Sequence, residues 1–568
     1  REVLKVASCI GRGFDLDTLE IIINRLQTGT YETAFNAVYK HLKKAKEEGF
    51  ILKEKKRYFF SHDRIHYSVN RLSNQLFRKK VHLHIGRLLF SRLASQQTID
   101  IYNIEALNTE HLFNIITHWN KGWQFIDNKI EKSQLAALNL IAGKKAVRSA
   151  AFKVALDYFK QGIELLYDDC WRRDYNLTLD LYTNLMEAQF LNGEMKELPN
   201  YLKYINKHVQ NPIDALSAYE INIQSLSAQQ KLNEAANLGL VYLKELGLSF
   251  PKKTNKIQSL FIVIQMSLLM SRKKPKDLYE LPEMTDPKAL AIMNIFKATG
   301  TAFYLGGSPF LPLYILKGLR VTLKYGNSPS SVFAYGGYGL IASGVLKRYQ
   351  TGYEYGELIS SLIQKFGAIQ LSTFAALVKN TFLIHPQKHL KESIEPTAKA
   401  YRIGLETGSV EFTPYVAFSN AYFSFFIGTP LIDVSQTMEE YIKKMEEFNQ
   451  KLAVHRMRIY QETFYNLIGQ SGNTYQLEGI AYDETTMLQP ALDKGITVIK
   501  SNYLCNKLIL SYLFREYNMA LAHSLEAEKP TIQSARGSYM LRMYYFYSTL
   551  TFCKILQKAK EGGTIEGI

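Results

Sequence analysis

The chain has 568 residues, with 69 Lys and Arg against 52 Asp and Glu, and its formal charge of +17 is the one compositional hint at an acidic partner. With 46% hydrophobic and 21% charged residues it is a folded chain and not a disordered one, long enough for several domains or for one repeat array that grows without a closed core. Cys9, Cys170, Cys505 and Cys553 stand far apart with no Cys-x-x-Cys, which leaves no disulfide framework and points to a reduced, cytoplasmic setting.

Residues 1 to about 100 have a mixed pattern. The opening apolar run Leu4 to Gly11 reads as the middle of something larger. Asp17-Thr-Leu-Glu20 has capping-box spacing, so a helix is predicted through Leu19, Ile22, Ile23 and Leu26. A second helix is predicted across Ala34, Val38, Leu42 and Ala45, ending at Gly49. Ile51-Leu52 and Tyr58-Phe59-Phe60 flank the charged run Lys53 to Arg57 and read as a hairpin. Helix, helix and hairpin in that order describe a winged-helix module.

Basic residues crowd this region. From Lys53 to Asp100 the only acidic residues are Glu54, Asp63 and Asp100 itself. Lys40, Lys43, Lys44, Lys55, Lys56, Arg57 and Arg64 are the candidate contacts to nucleic acid or to an acidic face of a neighbouring domain. The predicted second helix, Thr33 to Lys46, carries phosphate-type lysines but offers base edges little beyond Asn36, so only weak, salt-dependent duplex binding is expected. His62-Asp-Arg-Ile-His66 has a metal-compatible spacing. It has no recognisable third ligand, and Asp63 reads instead as the cap of the next helix. His82 and His84, two apart on a helix, point to different faces.

Residues 101–133 read as connecting helices, and residues 134–560 as an array of paired helices. Gly143, Ala155 and Phe159 match the small-residue contacts of a tetratricopeptide unit, whose helices approach closely only where side chains are small. A similar second helix recurs at Ala236, Leu240 and Leu243, with a degenerate one at Leu198, Leu202 and Ile205. Later pairs are predicted around Gly352–Ile363, Met438–Met445 and Tyr517–Ala527. Prolines at 251, 282, 287, 309, 329, 386 and 430 mark turns between them. The fold class is therefore predominantly all-α, a tetratricopeptide-like superhelix after a small winged-helix module, with a bend near 250–290 and a polar tail at 561–568. Stability is expected to decay gradually along such an array, because each repeat contacts only its neighbours.

The longest apolar stretch, Leu260 to Met270, is half of the roughly 20 residues a membrane span needs. It reads as a buried helix, closed by Arg272, Lys273 and Lys274. The clusters Tyr422–Phe426 and Tyr544–Tyr547 read as core packing.

Chemistry-bearing motifs are absent from the sequence. Gly143-Lys-Lys145 lacks the upstream glycine and the hydroxyl of a phosphate-binding loop. Gly11-Arg-Gly-Phe-Asp-Leu16 has Leu16 where a dinucleotide loop keeps its third glycine. Tyr335-Gly-Gly-Tyr-Gly339 is explained by close helix approach. No catalytic, cofactor-binding or metal residue is assigned.

An ordered series of segments carries a resemblance: Leu4 to Gly11 with Phe14-Asp-Leu16, Phe60-Ser-His-Asp-Arg64, His84-Ile-Gly-Arg-Leu-Leu89, Leu138 to Gly143, Leu281 to Pro287, Lys324-Tyr-Gly-Asn327 with Phe333-Ala-Tyr335, and Asn506 to Phe514. Together they resemble the region that follows the P-loop ATPase module in large bacterial predicted ATPases fused to sensor histidine kinases or Ser/Thr kinases. The resemblance implies a non-catalytic regulatory or scaffolding role, with neighbouring ATPase and kinase domains and a protein or peptide ligand as partners. It places ATP and magnesium in other domains of the parent and no cofactor in this chain. A P-loop is expected upstream in the coding sequence. The alternative from a different class is a winged-helix transcription regulator with a helical-repeat sensor arm.

Overall fold

The computed structural model describes residues 1–26, 31–96, 109–409, 411–448, 450–493 and 496–560. The tail at 561–568 and residues 101–108 of the predicted 101–133 connection lie outside the described residues, as does the Asn36 side chain. The chain divides into two compact units, Arg1–Ile221 and Asn222–Ile568.

The first unit opens with α1 (Glu2–Ile10), β1 (Gly13–Asp15), α2 (Leu16–Leu26), α3 (Tyr31–Glu47), β2 (Ile51–Glu54) and β3 (Arg57–Phe60). The predicted hairpin is present, turning at Lys55-Lys56 with Lys55 at φ 53°. The sequence did not reveal β1, which adds to the far side of β3 with Phe14 opposite Tyr58, giving the order β1-β3-β2. Phe14 stacks on Tyr58 at 5.8 Å and meets Phe60 at 5.9 Å, over a core that includes Ile22, Leu42 and Ile51. The α2 cap is Asp15 and not Asp17. Its Oδ1 accepts from the Thr18 amide at 2.7 Å and its Oδ2 from the Thr18 hydroxyl at 2.8 Å, because the strand ends at Asp15 and the chain must turn there.

Next come α4 (Asp63–Arg71), α5 (Gln75–Gln96) and α6 (Thr109–Gly122). The cap of α4 is His62, whose Nδ1 accepts from the Arg64 amide at 3.1 Å. Asp63, expected to cap, lies in the first turn and pairs with Arg12 at 3.2 Å. Gly86 of the His84–Leu89 segment lets α5 close onto α6, where a β-carbon would sit 2.8 Å from that of Trp119. Then follow α7 (Lys129–Arg148), α8 (Phe152–Glu164), α9 (Cys170–Arg173), α10 (Tyr175–Leu191) and α11 (Leu198–His208). Arg87 grips Glu131 with two hydrogen bonds of 2.6 and 2.8 Å, and the Trp119 indole donates to the same carboxylate at 3.1 Å, so α5, α6 and α7 share one polar anchor.

Gly143 on α7 lies under the Phe159 ring on α8, as the repeat spacing predicts, and Gly162 lies under Leu181 of α10. Gly143→Leu is expected to cost about 1–3 kcal/mol by overpacking, read as a lower urea midpoint. An unchanged midpoint would show that Phe159 yields freely.

The second unit contains most of α12 (Leu216–Ala228), then α13 (Leu232–Glu245), α14 (Lys256–Met270), α15 (Pro275–Tyr279), α16 (Pro287–Leu305), α17 (Leu311–Tyr325), α18 (Ser331–Gly344), α19 (Tyr349–Phe366) and α20 (Ser372–Val378). It continues with α21 (Ile394–Glu406), α22 (Thr413–Phe426), α23 (Leu431–Glu447), α24 (Lys451–Leu467), α25 (Glu484–Asp493), α26 (Thr497–Leu513), α27 (Tyr517–Ser534) and α28 (Tyr539–Lys560). Sequential helices pack as neighbours through most of the unit. Beyond residue 130 the described residues hold only isolated β-bridges, and the fold is predominantly all-α, a helical-repeat architecture of packed hairpins.

Three expectations change. First, the Leu260–Met270 run is not buried all round. Val263, Met266 and Met270 are covered, while Leu260, Phe261, Ile264 and Leu268 are exposed, because one stripe of a helix suffices to pack on α17. None of the described helices is long and apolar enough to cross a membrane. Second, in the Tyr544–Tyr547 cluster Tyr544 is buried but Tyr545 and Phe546 are exposed, so it is only partly core. Third, contacts are not confined to neighbouring repeats. His385 Nε2 lies 3.1 Å from the Gly537 carbonyl, and Arg542 donates to the His385 carbonyl at 3.1 Å, joining positions 152 and 157 residues apart.

Two buried polar latches hold irregular chain in this unit. Asn327, fully buried, donates through Nδ2 to the Leu278 carbonyl at 2.7 Å and accepts from the Tyr335 hydroxyl at 3.0 Å. Its backbone exchanges two 2.7 Å hydrogen bonds with Pro282 and Met284. The segments Leu281–Pro287, Lys324–Asn327 and Phe333–Tyr335, separate in sequence, thus meet. Glu462 on α24, also fully buried, accepts from the amides of Ala481 at 2.9 Å and Tyr482 at 3.3 Å. Asn466, one turn on, donates to the carbonyls of Asn473 and Gln476 at 2.8 and 2.7 Å.

Candidate functional site

The seven candidate contact residues are distributed over three elements of the first unit. Lys40, Lys43 and Lys44 lie on α3, Lys55, Lys56 and Arg57 on the β2–β3 hairpin, and Arg64 in the first turn of α4; all seven are exposed. Lys44 reaches Glu48 at 3.9 Å, an exposed pair that fixes little. Arg57 lies over the Phe59 ring at 5.6 Å. Such exposed cations suit phosphates or carboxylates of a partner and carry no base-reading geometry.

A cleft of about 860 Å³ lies where the C-terminal end of α1 meets α4, α5 and α6. Arg71, Arg78, Lys79 and Lys121 line it with His82 and His118, and among the described residues no Asp or Glu does. Arg78 is held by the Asn70 carbonyl at 3.0 Å and Lys79 by the Gln124 side chain at 2.6 Å. His66, one turn from the capping His62, faces the Ser8 carbonyl at 2.9 Å. The two do not form a metal pair, and no cluster of three potential ligands occurs among the described residues.

At the floor His82 Nδ1 and His118 Nδ1 are 2.9 Å apart. One ring nitrogen must accept and is therefore deprotonated, so the two rings cannot both be charged in this contact. Burial, first, and then the neighbouring ring and Lys121 push His82 down to about 3; burial and Lys121 push His118 down to about 4. Burial raises the Cys9 thiol to about 11, which rules it out as a ready nucleophile. The spacing of Arg78 to His82 and of His118 to Lys121 places each pair on one helix face. Nothing in the sequence showed that α5 and α6 bring those faces together.

These depressed values set a pH dependence. Between about pH 6.5 and 4 the unfolded chain takes up protons on both histidines while the folded chain resists them, so stability falls as pH falls through that window. The limiting slope is about 1.4 kcal/mol per pH unit for each histidine. The thermal midpoint is expected to decline from pH 7 to 5, and a flat profile would contradict a buried neutral pair.

The glycine motifs carry no ligand cradle. Gly143-Lys-Lys145 lies inside α7, and Tyr335–Gly339 lies inside α18, with Gly337 against Ile315 and Gly339 against Leu383 and Tyr355.

No protein-family model matches the chain. It is similar to the hybrid signal transduction histidine kinase G of Dictyostelium discoideum, 22% identical over 426 residues, which covers 69% of this chain and 12% of that protein. Among solved structures, a signal transduction ATPase with numerous domains and a tetratricopeptide repeat sensor from Pyrococcus horikoshii aligns over 82% of this chain and 65% of its own, at 15% identity and a TM-score of 0.33. A circular tandem repeat protein aligns over 99% of both chains at 10% identity and a TM-score of 0.12. Scores that low carry no argument about fold, which rests on the helices described above.

Proposed function

We propose that this chain is a non-catalytic regulatory and scaffolding segment of a multidomain signal-transduction ATPase or kinase, coupling a nucleotide-binding module to downstream sensor or kinase domains through protein contacts. The similarity to the histidine kinase carries this reading, because it runs through most of this chain yet spans a small part of a far longer signalling protein. The element order α1-β1-α2-α3-β2-β3 supports a winged-helix adaptor within residues 1–100, and its cations and the cation-lined cleft suit an acidic face of a neighbouring domain. Packed hairpins supply the extended surfaces on which repeat proteins take a protein or peptide ligand. ATP and magnesium belong, in this reading, to other cytoplasmic domains of the parent.

The test is direct. The coding sequence upstream is expected to contain Gly-x-x-x-x-Gly-Lys-Ser/Thr after a strand, and the purified 568-residue chain is expected neither to bind nor to hydrolyse ATP. ATPase activity of the chain, or an upstream stop codon, would overturn the assignment. The transcription-regulator alternative predicts sequence-selective duplex binding at physiological salt. We expect only weak binding that fades with salt and is further reduced by Lys43→Glu with Lys44→Glu.

A further inference from the structure

The outward stripe of α14 is unusual for a helix at a protein surface. Ile257, Leu260, Phe261, Ile264 and Leu268 are between 46% and 80% exposed. At about 100° per residue they fall on one arc of the helix, roughly 100° wide and about 16 Å long. The opposite arc, of Val263, Met266 and Met270, is buried where α14 packs on α17. The helix is therefore apolar on both sides, and a contiguous exposed apolar surface of this kind marks an interaction site.

Cations frame that stripe. From Leu246 to Lys276 the sequence holds no Asp or Glu, while Lys252, Lys253 and Lys256 precede the apolar residues and Arg272, Lys273, Lys274 and Lys276 follow them. Lys252, Lys253 and the four that follow are exposed. A further cation comes from the residue before α19, where Arg348 donates to the Ser267 hydroxyl at 2.9 Å, beside Leu268. The pattern disfavours a second copy, because the helix laid against itself in either direction sets cations against cations at both ends. An anionic bilayer surface matches it in layers. The hydrocarbon boundary takes the apolar stripe, and the lipid phosphates above it take the lysines, whose stems bend outward to reach them. All of the flanking cations but Arg272 are lysines, compact charges suited to a field of headgroups, whereas a fixed carboxylate on a protein favours the arginine fork.

We propose that α14 is an interfacial anchor that lies flat on a membrane surface containing anionic lipid, with its exposed apolar stripe seated at the headgroup boundary and the flanking lysines on the headgroups. This is attachment to one leaflet and not a span, in keeping with the 15-residue length of the helix. The inference does not rest on the signalling reading, since the anchor holds or fails whatever flanks the chain.

Co-sedimentation of the full chain with lipid vesicles tests it. The chain is expected to bind vesicles of phosphatidylcholine with about one-third phosphatidylserine more tightly than vesicles of phosphatidylcholine alone. Phe261→Gln with Leu268→Gln leaves the net charge untouched and is expected to weaken binding at least about tenfold, because two apolar side chains are withdrawn from the hydrocarbon boundary. Both positions are exposed in the free chain, so the thermal midpoint is expected to hold. Should it fall, Ile257→Gln at the most exposed position serves instead, with an expected loss of about fivefold. Lys273→Gln with Lys274→Gln is expected to weaken binding about tenfold. Lys153→Gln with Lys160→Gln removes the same charge from exposed positions of the first compact unit and is expected to change it less than about twofold. Equal losses from the two lysine pairs, or undiminished binding by the apolar variants, would show only diffuse attraction to a basic protein and overturn the proposal. So would equal binding to both kinds of vesicle, no binding to either, or a dimer of the free chain that Phe261→Gln with Leu268→Gln dissolves.

Discussion

Asn327→Ala is expected to destabilise the second unit by about 2–4 kcal/mol. The substitution leaves the buried Tyr335 hydroxyl without its acceptor and takes from the Leu278 carbonyl its 2.7 Å donor, leaving only the longer 3.3 Å bond from the Leu281 amide; a buried polar group left unsatisfied costs about 1–3 kcal/mol. The cavity left by the amide adds to this. Gly326→Ala tests the same joint from the backbone side. Gly326 has φ 99°, and a β-carbon there would collide with the Pro282 carbonyl, so even a methyl group forces the two segments apart. Urea unfolding followed by circular dichroism reads both. A loss below about 1 kcal/mol for Asn327→Ala would mean that water replaces the amide and that the joint is not a sealed latch.

Glu462→Ala is expected to cost about 2–4 kcal/mol and to act locally first. Two buried backbone amides, of Ala481 and Tyr482, lose their acceptor, and each such loss costs about 1–3 kcal/mol. Hydrogen exchange at those two amides is expected to accelerate strongly, while amides of α22 and α23 keep their protection. Glu462→Gln retains an accepting oxygen and is expected to fall between wild type and alanine. Equal exchange in wild type and Glu462→Ala would show that the 468–483 loop is held by Asn466 alone. Gly479 abuts the same carboxylate, so Gly479→Ala is expected to reproduce part of the defect by pushing Glu462 off its amides.

What was legible in the sequence followed from short-range periodicity. Gly143, Ala155 and Phe159 announced a close helix pair, because their spacing is fixed by helical geometry within about 20 residues. The hairpin across Lys55-Lys56 and the proline turns were visible for the same reason. What stayed hidden depended on partners far along the chain. Three residues, Gly13 to Asp15, cannot signal a strand until β3 lies beside them, and that missing strand is why the α2 cap was placed two residues late. The apolar run at Leu260 showed that a helix exists but not which stripe would be covered. At the candidate site the basic residues were evident as a composition. The cleft was not, because its cations come from α4, α5 and α6, and the His82–His118 pair spans 36 residues.

The tie between His385 and the Gly537–Arg542 segment also bears on how the protein is made. A chain leaving the ribosome acquires its hairpins in order, each able to close soon after its second helix emerges. The contacts at His385 are different, because their partners are 152 and 157 residues further on. At about 5–20 residues per second, the middle of the second unit waits roughly 10–30 s with a buried-site histidine still exposed. During that interval the nascent chain is a substrate for chaperones and proteases, and a truncation before Gly537 leaves it in that condition permanently.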